Sequence, residues 1–287
     1  MWSETLLAST VDGLLIGVVY GLAALGLTLI FGVMNVVNLA HGPTMTLGMF
    51  GIYLSATKLG LHPFAGLVLV AAGGLLLGVG IYVVAVKRVI DAPHLASLLA
   101  TFSVNLMIVG VATAIFSTSF RNLSHDLGVL RAGPIAVPGT RVAAALLAVA
   151  VAAALQVFLT RTRLGKYVRA VAANRAAAEL VGIPSARVLA LSFGIGTMLA
   201  ATAGGLIALS LPFTVLSGGV YELKSFVIVV LGGLGNPLGA LVGGVVLGLI
   251  EGIVPVFARA TWVPVLEYGL FVLILLVRPS GLLGGGR

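Results

Sequence analysis

The chain has no cysteine, which excludes disulfides, thiolate metal sites and cysteine nucleophiles. Charge is almost as scarce. Among 287 residues there are 16 Lys and Arg and 8 Asp and Glu, or 8%, against about a quarter in an ordinary soluble domain. Hydrophobic residues make up 60% of the chain, and its mean hydropathy is +1.21. So few charges cannot cover the polar surface of a soluble fold this long. Soluble globular and disordered readings are both excluded.

The charges are also unevenly spread. None falls within 13–57, 59–86, 92–120, 142–160, 188–221 or 225–250. A bilayer-spanning helix needs about 20 apolar residues, so each gap holds at least one helix and the first holds two. The alternating short segments of a transmembrane barrel are not seen. The expected fold is an all-α polytopic membrane protein with about 8–9 segments, one or two of them broken or re-entrant. The formal charge of +8 does not point to nucleic acid, because basic residues dispersed between membrane segments are what cytoplasmic loops carry. The first twelve residues hold Glu4 and Asp12 and no Lys or Arg. That is unlike a cleavable signal peptide, so the first apolar stretch is expected to remain as a helix.

The pattern predicts helices over about 11–33, 44–57, 63–86, 93–117, 142–160, 188–211, 222–231, 238–254 and 262–277, with a polar loop over 118–141. The one concentration of charge lies between Arg161 and Arg187. With that loop on the cytoplasmic side and nine crossings, the inside carries 10 Lys and Arg and the outside 6. Counting 222–258 as one crossing changes this to 9 and 7 and moves the C-terminus outside. Within the loop, an alanine-rich run from Arg169 ends at Gly182 and Pro184. Alanine favours helix and the Gly-Pro signal stops it, so a helix of about three turns outside the membrane is expected. Arg175 and Glu179 share one of its faces. Docking into a partner's groove and resting on the membrane surface are both open, although the latter usually needs large apolar residues on one face.

Glycines recur every four residues at Gly13, Gly17 and Gly21, at Gly235, Gly239 and Gly243, and at Gly244, Gly248 and Gly252. Such rows let helices approach closely, either within the chain or at a subunit interface. A broken, Asn-bearing segment occurs in each half, at Asn35–Pro43 and at Gly232–Pro237. Paired breaks point loosely to a transport path. His41 sits in the first break. A backbone-bonded structural histidine and a gate residue are both open, as helix glue and solute contact are for Asn35, Asn38, Asn105 and Asn236. Glu251, between Gly248 and Gly252, is the least ordinary membrane carboxylate, with a place at the interface close to Pro255 also open. No nucleotide-binding G-x-x-x-x-G-K-[ST] loop and no H-E-x-x-H occurs, and His41, His62, His94 and His125 lie far apart. No cofactor is expected.

Residues 26–42, Gly-Leu-Thr-Leu-Ile-Phe-Gly-Val-Met-Asn-Val-Val-Asn-Leu-Ala-His-Gly, resemble the signature of branched-chain amino acid ABC transporter permeases, of the first permease type in the high-affinity leucine/isoleucine/valine importers. Arg169 to Pro184, with Phe193 and Ala200 to Gly204 after it, resembles the same family, as does Phe226 to Gly244. The resemblance runs through essentially the whole chain. It implies one transmembrane domain over 1–287 in a bacterial inner membrane, working by alternating access and not itself catalytic. A similar sister permease, two cytoplasmic ATPase subunits and an extracytoplasmic binding protein would complete the importer. In that frame 161–187 resembles a coupling loop, with Arg169, Arg175 and Glu179 toward the ATPase and Gly182 permitting the turn. Asn35, Asn38 and His41 are expected near the cytoplasmic gate, and Asn105 and Asn236 within the path. Related permeases for urea, amides or aromatic acids, an ion-coupled secondary transporter and a membrane-embedded enzyme are the alternatives.

Overall fold

The computed structural model describes residues 2–123, 127–132, 135–278 and 280–283. His125, Gly133 and Pro134 of the expected polar loop, and Arg287 of the charge count, lie outside them. The membrane body contains α1 (Trp2–Met34), α2 (His41–Thr57), α3 (Pro63–Val84), α4 (His94–Phe116) and α5 (Gly139–Arg161). Between α5 and the next long helix stand α6 (Arg163–Ala173) and α7 (Arg175–Leu180). The body continues with α8 (Ser185–Ala208), α9 (Ser217–Gly232), α10 (Pro237–Phe257) and α11 (Val263–Val277). Seven of these helices are long and apolar enough to cross a membrane. Helix α11, with 15 residues, reaches that length only together with the turn over Ala260–Trp262 before it. Helices α2 and α9, with 17 and 16 residues and each about 25 Å long, fall outside the seven.

Two ends of the bundle are distinguishable. One carries α6 and α7, and we call it the charged-loop end. The opposite end carries a two-stranded hairpin of β1 (Val129–Ala132) and β2 (Ile135–Pro138), paired antiparallel with Val129 opposite Pro138. The expected polar loop over 118–141 is therefore partly ordered as sheet. Arg121 before β1 adds a further bridge by exchanging backbone bonds with Phe213.

The core forms around α1 and α8, which are buried by their neighbours, while α4 and α11 expose most of their apolar surface. All three glycine rows turn inward. Gly13, Gly17 and Gly21 face Gly244, Gly248 and Gly252 so closely that a Cβ on Gly17 would lie 2.7 Å from the Gly244 carbonyl oxygen and 3.1 Å from Gly248 Cα. Gly239 and Gly243 pack on α9 at Gly232 and Ile228, and Gly235 meets Gly32. With no hydrophobic drive between helices in lipid, such backbone contact is how they hold together. Around α8, Gly74 and Gly78 of α3 meet Ala201, Met198 and Thr197 in the same way.

α1 begins nine residues before the expected Val11. No Gly or Pro interrupts 2–12, and the Thr10 hydroxyl donates to the Leu6 carbonyl at 2.7 Å. Polarity alone does not stop a helix. The expected single helix from Arg169 is two. Asn174 leaves helical geometry at φ −160°, and its Oδ1 accepts from the Ala177 amide at 3.0 Å. A capping side chain offers the backbone an alternative to continuing the helix, and here it wins over alanine propensity. The stop is as expected. Gly182 takes φ +82°, and the Gly182 and Ile183 amides donate to the Glu179 and Ala178 carbonyls at 3.0 Å each, which is a Schellman closure.

Candidate functional site

The break after α1 is built by local chemistry. Asn35 adopts φ +52°, a left-handed conformation that asparagine tolerates better than most residues, and its amide closes the last turn on Phe31 at 2.8 Å. The chain then runs without helix through Val36, Val37, Asn38 and Leu39 before α2 starts at His41. This linker is mostly buried, so its backbone groups need partners other than water. Thr101 of α4 supplies two. Its hydroxyl contacts the Val37 carbonyl at 3.1 Å and the Leu39 amide at 3.2 Å. Asn105, one turn on, donates from Nδ2 to the Leu39 carbonyl at 2.6 Å. Asn38 Oδ1 accepts from the Ala40 amide at 3.1 Å.

A carboxylate that the sequence reading missed completes the cluster. Glu222 of α9 lies 3.4 Å through Oε2 from Asn105 Nδ2 and against Gly42, where a Cβ would meet Glu222 Oε2 at 2.7 Å. Gly42 is in the first turn of α2, which has no side-chain cap of its own. A carboxylate is electrostatically favoured at such a helix start. Glu222 was legible only as a short apolar segment's first residue, and its burial depends on α2 beginning inside the bundle.

The cluster is sealed. Asn38, His41 and Thr101 are fully buried. The Ala23 carbonyl of α1 lies near His41, yet neither ring nitrogen makes a hydrogen bond of ordinary geometry, and Asn38 Nδ2 is also without a partner. Buried polar atoms left in this state are costly.

The structure thus brings Asn38, His41 and Asn105 together, with Asn35 exposed at the mouth of the break. Asn236 stands apart. It caps α10, with Oδ1 accepting from the Leu238 and Gly239 amides at 3.1 and 3.2 Å and Nδ2 donating to the Leu283 carbonyl. The expectation that Glu251 is the one notable membrane carboxylate needs correction. Glu222 and Glu267 are both buried. Lys224, counted from the sequence among the external charges, lies on α9 in ion contact with Glu251 and 3.7 Å from Glu267. Charge gaps in one sequence could not reveal this, because they do not show which helices pack together.

At the charged-loop end, Arg175 bridges Glu179 at 3.2 Å and Asp91, just before α4, at 2.7 Å. Burial alone would lower its pKa, but these two carboxylates outweigh burial and raise it, so it stays charged. Arg169 is exposed. So are Leu180 and Val181, at 90% and 76%, beside Gly182.

A helical membrane bundle with a non-helical, buried polar break and an exposed helical loop at one end has the architecture of a transport permease. The model of the family described as "Branched-chain amino acid transport system / permease component" matches residues 9–277, and the chain belongs to that family. It is 29% identical to the high-affinity branched-chain amino acid transport system permease protein BraD of Pseudomonas aeruginosa, over 97% of this chain and 95% of that protein. It is 29% identical to the permease protein LivH of Escherichia coli K12, over 95% and 94%. A probable branched-chain amino acid transport permease of Methanocaldococcus jannaschii is 27% identical over 92% and 88%. Among solved structures, PsaBC from Streptococcus pneumoniae in complex with Fab aligns at a TM-score of 0.46 and 16% identity, covering 94% of this chain and 91% of that one.

Proposed function

We propose that this chain is a transmembrane subunit of an ATP-driven importer of branched-chain amino acids in a bacterial inner membrane. The observation that carries the reading is the polar break between α1 and α2, held by Thr101, Asn105 and Glu222 within the helical bundle. Polar groups at membrane depth are expensive and tend to mark solute paths. On opening, the Leu39 carbonyl and Glu222 would offer acceptors to a solute ammonium. The uncapped first turn of α2 would offer N–H groups to its carboxylate. His41 and the Asn38 amide, unpartnered when sealed, would gain partners in the open state.

The energy source in this reading lies on other subunits, since the chain has no phosphate-binding loop. Two cytoplasmic ATPases would dock on the 161–187 loop, with Arg169, Arg175 and Glu179 at or behind the contact and Leu180 and Val181 as apolar knobs beside Gly182. A sister permease and an extracytoplasmic binding protein would complete the assembly. The test is co-purification with ATPase subunits, followed by uptake into proteoliposomes. Leucine, isoleucine or valine uptake that needs internal ATP and survives an uncoupler supports the proposal. Uptake that survives ATP depletion and collapses with an uncoupler refutes it in favour of ion coupling. Transport of urea or short amides in place of these amino acids refutes the substrate class.

A further inference from the structure

The hairpin end of the bundle holds a second polar assembly, away from the α1–α2 break. A cavity of about 400 Å³ is lined there by Asp12 and Tyr20 of α1, Arg141 of α5, Lys224 of α9, Glu251 of α10 and Glu267 of α11. Small-molecule sites begin at roughly 300 Å³, so the space suits a compact solute. Its lining carries three carboxylates and two bases, a formal excess of one negative charge. Exposure falls from rim to floor, with side chains 36% exposed at Asp12, 24% at Arg141 and 1% at Glu267.

The pairing inside the cavity is incomplete. Asp12 and Arg141 pair at the rim. Lys224 contacts Glu251 and lies 5.1 Å from the centre of the Tyr20 ring. Glu267, the deepest carboxylate, shares the Lys224 ammonium with Glu251. That ammonium is 3.7 Å from its Oε1, an ion contact longer than a hydrogen bond, and the buried oxygen accepts no hydrogen bond among the described residues. A set of charges placed only to hold helices together would give its shortest contact to its most buried member, because a poorly satisfied buried charge is the costly choice. Here no described residue supplies the hydrogen bond that Glu267 Oε1 lacks. Ile16, Leu211, Val220 and Val263 give the same cavity an apolar wall.

We infer that this cavity is a reception site for a free α-amino acid zwitterion. The ammonium donates to Glu267 Oε1 at the floor, the carboxylate lies against Arg141 at the rim, and the side chain rests on the apolar wall. The inference rests on the proposed amino acid substrate and adds a binding step on the permease before the path opens. Lys224 and Glu222 are two residues apart on α9, so they point to opposite sides of one helix, and this site and the break are separate.

The test uses the assembled transporter complex in lipid nanodiscs, without binding protein, and radiolabelled leucine as probe. Wild-type complex is expected to bind leucine. Leucine amide, which keeps the ammonium, should compete, and N-acetyl-leucine, which lacks it, should not. Glu267→Gln should weaken leucine binding at least tenfold. Arg141→Gln should weaken leucine binding while leaving leucine amide competition unchanged, a split that a purely structural role does not produce. Should Glu267→Gln fail to assemble, the Arg141→Gln ratio decides alone. Leucine affinity unchanged in both variants, equal competition by N-acetyl-leucine, or no binding by a wild-type complex that does transport leucine overturns the inference. A complex that takes up no branched-chain amino acid overturns the proposed function instead.

Discussion

Replacing Gly17 by alanine tests whether the α1–α10 seam is held by backbone contact. Two opposing effects add. Any Gly→Ala change inside a helix gains roughly 0.5–1 kcal/mol because the unfolded chain loses freedom. At Gly73 of α3, where an added Cβ meets nothing within 4 Å, that gain is the whole effect. At Gly17 the new Cβ lies 2.7 Å from the Gly244 carbonyl oxygen, 3.0 Å from Val245 Cα and 3.1 Å from Gly248 Cα. These are backbone atoms and cannot rotate away. Ordinary contact starts at 3.4 Å, so the helices must part by about 0.7 Å along the seam, and overpacking of this kind costs about 1–3 kcal/mol. The two variants should therefore differ by about 2 kcal/mol, with Gly17→Ala the weaker and Gly73→Ala equal to or stronger than wild type. Purified protein titrated from mild detergent into SDS, with helix content followed by circular dichroism, gives the comparison. Equal midpoints for the two variants would refute the seam. The double variant Gly17→Ala, Gly248→Ala should lose less than the sum of its parts, since one separation relieves both contacts.

Three further outcomes follow from named contacts. Glu222→Gln removes the carboxylate from the start of α2 at a stability cost of at most about 2 kcal/mol, while amino acid uptake by the reconstituted complex should fall at least tenfold; uptake within twofold of wild type would contradict the path assignment. Thr101→Val orphans the Val37 carbonyl and the Leu39 amide and should cost about 2–6 kcal/mol in the same SDS titration, at about 1–3 kcal/mol per orphaned group. Thr101→Ser should restore most of it. Asn174→Ala removes the cap on α7, worth about 1 kcal/mol, and lets α6 and α7 join, so ATP hydrolysed per amino acid transported should rise while assembly, read by gel filtration, stays intact.

The long helices were legible because their signal is global. A gap of about 20 uncharged residues has few explanations other than a membrane span, and the predicted bounds of 63–86 and 93–117 fall within two residues of α3 and α4. The glycine rows were legible as helix contacts, but spacing alone could not pair Gly17 with Gly248 across 230 intervening residues. Asn38, His41 and Asn105 were recoverable as polar residues in apolar surroundings. Glu222 and Lys224 were not, because a charge at the start of an apolar run reads as a helix end on the surface, whereas α9 begins more than a turn earlier, at Ser217. Glu267 lies within the predicted 262–277 helix, and only the packing of α11 against α9 and α10 shows that it is buried. Asn174 was misread for a related reason: propensity averages over a window, whereas one capping bond acts at one residue.

The two short helices and the glycine seam also divide the bundle mechanically. Where backbones touch, as along α1, α10 and α8, packing leaves no slack and the elements move together or not at all. The α1–α2 linker is held differently, by hydroxyl and amide hydrogen bonds from Thr101 and Asn105 and by the Glu222 carboxylate. Each of these can be exchanged for a bond to water or to a solute at small net cost. By the same criterion α2 is held to α8, where a Cβ on Gly48 would strike the Ala201 backbone, and α9 to α10 at Gly232 and Gly239, so α4 is the element that can withdraw from the break most readily. Helix α9 carries a residue of each polar assembly, Glu222 on the break and Lys224 on the hairpin-end cavity. A shift of α9 that frees Glu222 from Gly42 would also carry Lys224, two residues on, so the two assemblies share one rigid turn of helix.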